Sequence, residues 1–243
     1  LVTDSGNGTD TGSITVNIKG SNDAPTIDDV TISTNENALT NSTKLEIDID
    51  SPYALTNFTH DLDVTDDHSF AMSTDSKIGF TLVTVDPELL TAFQTNNVAY
   101  IKSVALQLIA IPEVTAAMST MTEPNFLALV NSLNSATTSA QLFAIINGID
   151  GVSASMTPSG LSLSIEDASI LVTKGLLSIN IAGDGSYSVE SSLFDNLSVN
   201  DSVRISFDYT ATDSGGVTTS PETITVNIAG SNDAPTVVAA PAT

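Results

Sequence analysis

The sequence lacks cysteine and tryptophan altogether, and the absence of cysteine excludes every site that depends on a thiol. Without it the chain can form neither a disulfide framework nor a thiolate metal site. Basic residues are scarce, since six lysines and arginines face 29 acidic residues and leave a formal net charge of −23. So acidic a chain repels nucleic acid and anionic membrane surfaces. We therefore expect no nucleic-acid partner.

The acidic excess also calls for a counter-charge, because carboxylates that crowd one compact chain repel one another. A divalent cation would neutralise them, and hard carboxylate oxygens suit calcium best. The sequence therefore predicts calcium as the cofactor. The alternative is that the charge only keeps an extracellular or halophilic protein soluble.

Long hydrophobic runs are missing as well. The longest, residues 103–111 (SVALQLIAI), is too short to span a bilayer. No signal peptide or lipidation motif is recognised, and both ends are interpreted as cuts through a longer polypeptide. We expect no membrane insertion.

One phrase occurs twice, near each end of the chain. Residues 14–27 read ITVNIKGSNDAPTI and residues 224–237 read ITVNIAGSNDAPTV. The preceding residues also correspond, TDSGNGTDTGS at 3–13 and TDSGGVTTSPET at 212–223. Self-similarity at a fixed spacing indicates a repeat architecture. We call the two GSNDAP segments, residues 20–25 and 230–235, the first and second joints.

Many short segments alternate apolar and polar residues, the pattern of half-buried strands. Asp184-Gly185 lies between two of them and predicts a tight two-residue hairpin turn. Such strands with Gly and Asn turns predict a mostly β chain, built as an antiparallel β-sandwich. The predicted strands are residues 30–34, 44–50, 78–85, 161–167, 176–183, 187–192, 202–213 and 222–230.

Residues 86–150 have a different pattern, which predicts an inserted subdomain of about four short helices. Asp86-Pro87 supplies an N-cap and a proline at the first helical position, and Gly148 is expected just past the last helix. Apolar residues recur at helical spacing in between. The predicted organisation is a last strand of a preceding repeat (1–20), a first sandwich part (21–85), the helical insertion (86–150), a second sandwich part (151–230) and a linker to the next repeat (231–243).

Catalytic motifs are not recognised. The only histidines, His60 and His68, belong to no nucleophile elbow or spaced ligand set, so we predict that the chain is not an enzyme. The flanking run is dense in acids: Asp61, Asp63, Asp66 and Asp67. It fits either an acidic calcium loop or, as the favoured interpretation, a solvated loop or strand edge.

The segment FDYTATDSGG…TITVNIAGSNDAP resembles the closing signature of the cadherin-like and VCBS-type repeats of giant bacterial surface adhesins. LLSINIAGDGSYSVESSLFDNLSVNDSVRISFDYTATD is similar to the segment that precedes that signature. The resemblance covers about residues 1–50 and 160–237, and residues 86–150 have no counterpart in the plain repeat. It implies a cadherin- or immunoglobulin-like sandwich, exported by type I secretion to the bacterial cell surface.

The resemblance also implies calcium ligands at both joints, matched one position at a time. The cadherin-like pattern lacks two features here: the linker's leading Asp, replaced near its place by Gly20 and Gly230, and a clear mid-domain acidic motif. Fewer ions or weaker binding would follow. The implied ligands are Asn22, Asp23, Asp48, Asp50 and Asp213 at the first joint, and Glu36, Asn232 and Asp233 at the second.

Two functions follow as expectations. The first is a calcium-stiffened tandem-repeat extender of a cell-surface adhesin, of the kind used in biofilm adhesion, with neighbouring repeats of the same chain as partners. The second is an adhesin domain that binds a host or surface ligand through the helical insertion. Tyr100 is the insertion's only tyrosine, which is poor for stacking on sugars and favours packing or protein contact.

Overall fold

The computed structural model describes residues 1–84, 88, 91–92, 95, 97–99, 101–103, 106, 131–148, 151–157 and 160–232. This part of the chain is mostly β, as the sequence predicts. Its strands are β1 (Val2–Thr3), β2 (Thr9–Asp10), β3 (Thr26–Ile27), β4 (Val30–Asn35), β5 (Lys44–Ile47), β6 (Thr59–His60), β7 (Ser69–Met72), β8 (Gly79–Thr84), β9 (Val152–Thr157), β10 (Gly160–Ile165), β11 (Ser178–Ile181), β12 (Tyr187–Glu190), β13 (Ser202–Thr212) and β14 (Glu222–Ala229).

The largest sheet has the order β4-β14-β13-β8-β10-β9, and β7 also pairs with β13. β14 and β4 run parallel, whereas the other pairs of this sheet are antiparallel. A smaller sheet has the order β11-β12-β5, and β3 pairs with β6. Apolar side chains from the largest sheet and from β5 and β12 lie in one common core.

Strand β13 shows how the alternation produces this core. Val203, Ile205, Phe207, Tyr209 and Ala211 are each at most 1% exposed, and the polar residues between them point the other way. Because side chains of a strand alternate between faces, one face of β13 is wholly apolar. Full burial of each large apolar side chain contributes roughly 1.5–3 kcal/mol, so this strand anchors the sheet.

Several sequence-based boundaries change. The predicted strand 44–50 ends at Ile47, because Asp48 already belongs to a turn closed by the Ser51 N–H on the Asp48 carbonyl. The sequence predicted neither β7 nor β9. The β11–β12 hairpin is present, but its loop has three residues instead of two, since Ala182 pairs with Ser186. Of the three loop residues, only Gly185 has a positive φ (91°), as a three-residue hairpin loop requires.

The described part of the helical insertion contains helix α1 (Ser139–Ile146), and residues 131–135 are also helical. Thr138 and Gln141 form a reciprocal capping box at the start of α1. Asn147 is the C-cap, so Gly148 follows the helix as predicted. The predicted helix start at Asp86-Pro87 lies outside the described residues.

The insertion packs on β9 and β10 through a second apolar core. A further short helix, α2 (Ser169–Thr173), packs in the main core instead. Among the residues that the structure describes, no helix is both long and apolar enough to cross a membrane. The second core contains Ala92, Ile101, Leu133, Ala136, Leu142 and Ile146 from the insertion, with Val152, Ala154, Leu161 and Leu163 from the two strands.

The N-terminal segment repeats the β13–β14 turn in miniature. Asp4 N–H donates to the Gly8 carbonyl and Asn7 N–H to the Asp4 carbonyl; Asp213 makes the same two bonds with Val217 and Gly216. The next residues differ in environment, because Ile14, Val16 and Ile18 are 72–90% exposed while their counterparts in β14 are fully buried. That residues 1–20 close a preceding repeat stays a prediction.

Candidate metal centre

Asp213 stands just past the end of β13, with only 5% of its surface exposed. Its Oδ1 accepts the Val217 N–H at 2.7 Å, and its Oδ2 accepts the Asn22 side-chain amide at 2.8 Å. Asn22 packs closely on Gly215, where any Cβ would come within 2.3 Å of the Asn22 Oδ1. The first joint is therefore attached to the end of β13, and a side chain at position 215 would have to displace that of Asn22.

The acidic loop between β6 and β7 approaches the same place. The Asp61 side chain is 4% exposed and accepts the Asp63 N–H and the His68 Nε2, each at 2.9 Å. Asp63 in turn accepts the backbone N–H of Asp23 at 2.6 Å. The first joint is thus held from two sides, by Asp213 and by the acidic loop.

Three carboxylates converge between these contacts. One oxygen each of Asp61, Asp66 and Asp213 lie within 4.8 Å of one another. The Asp66 Oδ2 is buried and has no hydrogen-bond partner among the described residues. Calcium–oxygen bonds measure 2.3–2.6 Å, so two ligands on opposite sides of the ion lie about 4.6–5.2 Å apart. The donor set and its spacing fit a hard divalent cation.

Both inner carboxyl groups are biased towards the ionised form. The pKa of Asp61 is lowered by the backbone hydrogen bond from Asp63 and then by the bond from His68. The pKa of Asp213 is lowered by the side-chain amide of Asn22 and then by the Val217 N–H. These carboxylates therefore stay charged, and available to a cation, well into acidic conditions.

In the loop that carries these acids, apolar side chains are exposed and an acidic side chain is buried. Leu62 and Val64 are 81% and 92% exposed, while the neighbouring Asp61 points inward. The favoured sequence interpretation is a solvated loop or strand edge; Asp61 directly follows β6, and its side chain is not solvated. Sequence reasoning left Asp61, Asp63 and Asp66 out of the predicted ligand set. The signal that could have found them is the acid spacing itself, beside a cadherin-like pattern that lacked its mid-domain motif.

Not every predicted ligand joins this cluster. Asn22 reaches it with its side chain, and the backbone N–H of Asp23 bonds to Asp63 in the same acidic loop. Asp48 and Asp50 are exposed beyond β5, and no contact in the described part of the chain links them to the three carboxylates. Asp48 instead lines a shallow depression beside Lys44 and Tyr187. A metal role for Asp48 and Asp50 stays a prediction.

Glu36 lies at the second joint, immediately after β4. The parallel register brings Asn35 opposite Ala229, so that Glu36 meets the chain just beyond β14. It is 1% exposed, and its Oε1 accepts the N–H and the hydroxyl of Ser231 at 2.6 and 2.5 Å. Its Oε2 is buried without a hydrogen-bond partner among the described residues.

An unpaired buried carboxylate oxygen is costly, and a cation is one partner that could satisfy it. Of the other predicted ligands at this joint, Asn232 directly follows Ser231, and Asp233 lies outside the described residues.

Comparison of the chain with protein-family models, with curated proteins and with solved structures finds no match.

Proposed function

We propose that this chain is a calcium-stiffened module of a tandem-repeat surface adhesin and acts as an extender. The observation that carries the proposal is the attachment of the first joint to a carboxylate cluster. Asn22 is bonded to Asp213 at 2.8 Å and the Asp23 amide to Asp63 at 2.6 Å. A cation held by Asp61, Asp66 and Asp213 would fix the joint's direction relative to the β domain.

Electrostatics supports the same function. The chain carries a net charge of −23, and three carboxylates face one another at this joint. Without a cation they repel one another, which weakens the contacts that hold the joint. A bound ion replaces repulsion by attraction, so that a row of such modules would behave as a stiff rod.

The proposed fold is a cadherin- or immunoglobulin-like antiparallel sandwich. It is supported by the common core of the seven-stranded and three-stranded sheets. Two exposed apolar residues of the acidic loop, Leu62 and Val64, fit contact with a neighbouring repeat at the first joint. An extracellular, type I secreted location rests on the sequence resemblance, and the absence of cysteine is compatible with it.

Calorimetric titration of the chain with calcium, together with amide hydrogen exchange, tests the proposal. We expect saturable binding and a slower exchange of the Asp23 N–H when calcium is bound, because the ion holds the acidic loop that accepts this amide. Gly215→Ala should displace Asn22 and weaken both effects. Gly183→Ala, at a glycine with no atom within 4 Å of an added Cβ, is the matched control. Absence of calcium binding, with unchanged exchange at Asp23, contradicts the extender.

The helical insertion favours a second candidate, a partner-binding domain. The described part of the insertion forms a second apolar core with β9 and β10, separate from the main core. A spacer does not require it. Removing residues 86–150 and measuring adhesion and calcium binding separates the two functions. If calcium binding and adhesion both survive, the insertion has no binding role.

A further inference from the structure

A cleft of about 720 Å³ lies on the outer face of the largest sheet, away from both joints. Its floor is a cross-strand row of polar residues. Ser153 of β9 pairs with Ser164 of β10, which pairs with Thr81 of β8, which pairs with Arg204 of β13. Directly opposed residues of antiparallel strands share a face, so these four side chains stand on one surface.

The end of α1 forms one wall of the cleft. Asn147 and Gly148, at the C-terminus of the helix, line it beside β9. The Asn147 side-chain amide donates to the Ala154 carbonyl at 3.1 Å, and its oxygen accepts the Ala154 N–H at 2.5 Å. Two hydrogen bonds therefore fix the wall to the sheet, so the cleft is preformed and not a gap between loose elements.

Gly79 leaves room for the Ser206 hydroxyl, which lines the cleft and which an added Cβ would crowd. Ser153 and Ser206 make no side-chain hydrogen bond to any described residue, whereas Thr81 and Ser164 are bonded to each other at 3.0 Å. Two free hydroxyls and one hydroxyl pair thus face the space.

Arg204 gives the cleft its charge. It is the only arginine of the chain, it is exposed, and it forms no hydrogen bond or ion pair with any residue that the structure describes. The one acidic side chain of the described lining, Glu166, is already paired with Lys77 at 3.0 Å. In a chain with a net charge of −23, this is a place where a small anion meets an uncompensated cation.

We infer that this cleft binds a carboxylated sugar unit, a hexuronate. A guanidinium holds a carboxylate by two parallel hydrogen bonds, and the surrounding hydroxyls match a polyol. Arg204 lies at the β13 end of the floor and the negative end of α1 lies beside its β9 end, so a carboxylate is favoured at Arg204 and not at the helix. Recognition is by hydrogen bonds and not by stacking, since the one aromatic liner among the described residues, Phe80, is 2% exposed. The inference does not depend on the proposed calcium function.

The test is a titration of the whole chain with sodium glucuronate, followed by calorimetry and by amide chemical shifts. A chelator is present throughout, so that no calcium can bridge protein and sugar. Glucose, which lacks the carboxylate, and acetate, which lacks the hydroxyls, are the ligand controls. We expect saturable glucuronate binding, with shifts at Thr81, Ser153 and Ser206, and much weaker binding of both controls.

Arg204→Gln should weaken glucuronate binding by about tenfold or more, because a hydrogen bond to a charged group is lost. Lys174→Gln removes an exposed cation outside the cleft and should leave the affinity unchanged. Circular dichroism checks that both variants are folded, and Arg204→Lys tests the fork geometry at constant charge. No saturation by glucuronate, equal binding of glucose or acetate, or equal losses in the Arg204 and Lys174 variants overturns the inference.

Discussion

Asp66→Asn tests the first-joint cluster most sharply, because it should raise stability without calcium and reduce the gain that calcium gives. The Asp66 Oδ2 is buried and unpaired, and an oxygen of Asp66 lies within 4.8 Å of oxygens of Asp61 and Asp213. Without calcium, the variant removes one of three like charges and should melt at a higher temperature than the native chain. With calcium, the variant lacks a charged ligand, so its Tm should rise less on calcium binding than that of the native chain.

The size of the calcium effect follows from linkage. Calcium at about 100 times its Kd stabilises a one-site protein by about 2.7 kcal/mol. For a chain of roughly this size, about 1 kcal/mol shifts Tm by about 2–4 °C, so the native chain should gain about 5–11 °C. If the variant binds calcium about tenfold more weakly, about 1.4 kcal/mol of this gain is lost, which is about 3–6 °C.

Thermal melting in chelator and in calcium measures both effects on the same samples. Asp67→Asn is the matched control, since the neighbouring Asp67 is exposed and does not belong to the cluster. It removes the same charge and should change neither the apo Tm nor the calcium gain appreciably. If Asp66→Asn and Asp67→Asn behave alike in both buffers, the buried carboxylates do not form a cation site.

Two further predictions concern groups outside the joints. Tyr209→Phe should lower stability by about 1 kcal/mol, because the Tyr209 hydroxyl donates to the Asp28 carbonyl at 2.7 Å. Tyr187→Phe also removes a buried hydroxyl, but this one has no hydrogen-bond partner among the described residues. Equal losses of stability for the two variants in denaturant melts would contradict the reasoning. The pKa of Glu222 is raised by its hydrogen bond with the Asp29 carboxyl and by burial, so its stabilising contribution is present below the ordinary glutamate pKa and is lost as pH rises through the raised value. Glu222→Gln should therefore raise Tm at neutral pH and lose that advantage in acid, and a Tm difference that does not vary with pH would refute this.

Much of the β structure is predictable because several strands of the largest sheet alternate apolar and polar residues. In β13 the apolar residues Val203 to Ala211 mark the buried face without any tertiary information. β9 escaped prediction because the described residues that it buries are only Val152 and Ala154, which give a weak apolar signal. The helical insertion covers this face, and not the opposite sheet.

The candidate site was only partly predictable for a different reason. Its contacts join residues far apart in sequence, such as Asn22 with Asp213 across 191 positions. The first joint contains Asn22, and the resemblance to cadherin-like repeats implied Asp213. Asp61 and Asp66 carry no repeat signal, and their inward direction depends on a loop that exposes Leu62 and Val64 instead. Only the folded chain shows which of the many acids point inward.

The two copies of the TDSG turn separate what is local from what is not. At Asp4 and at Asp213 the backbone N–H bonds to the carbonyl four residues later, and the carboxylate accepts the amide of that same residue. The turn forms in both environments, so it is encoded by its own few residues. Asp4 is nevertheless exposed, whereas Asp213 is buried against the first joint and the acidic loop. The local sequence therefore aims a carboxylate, and it is the neighbouring loop and joint that convert it into a candidate cation site.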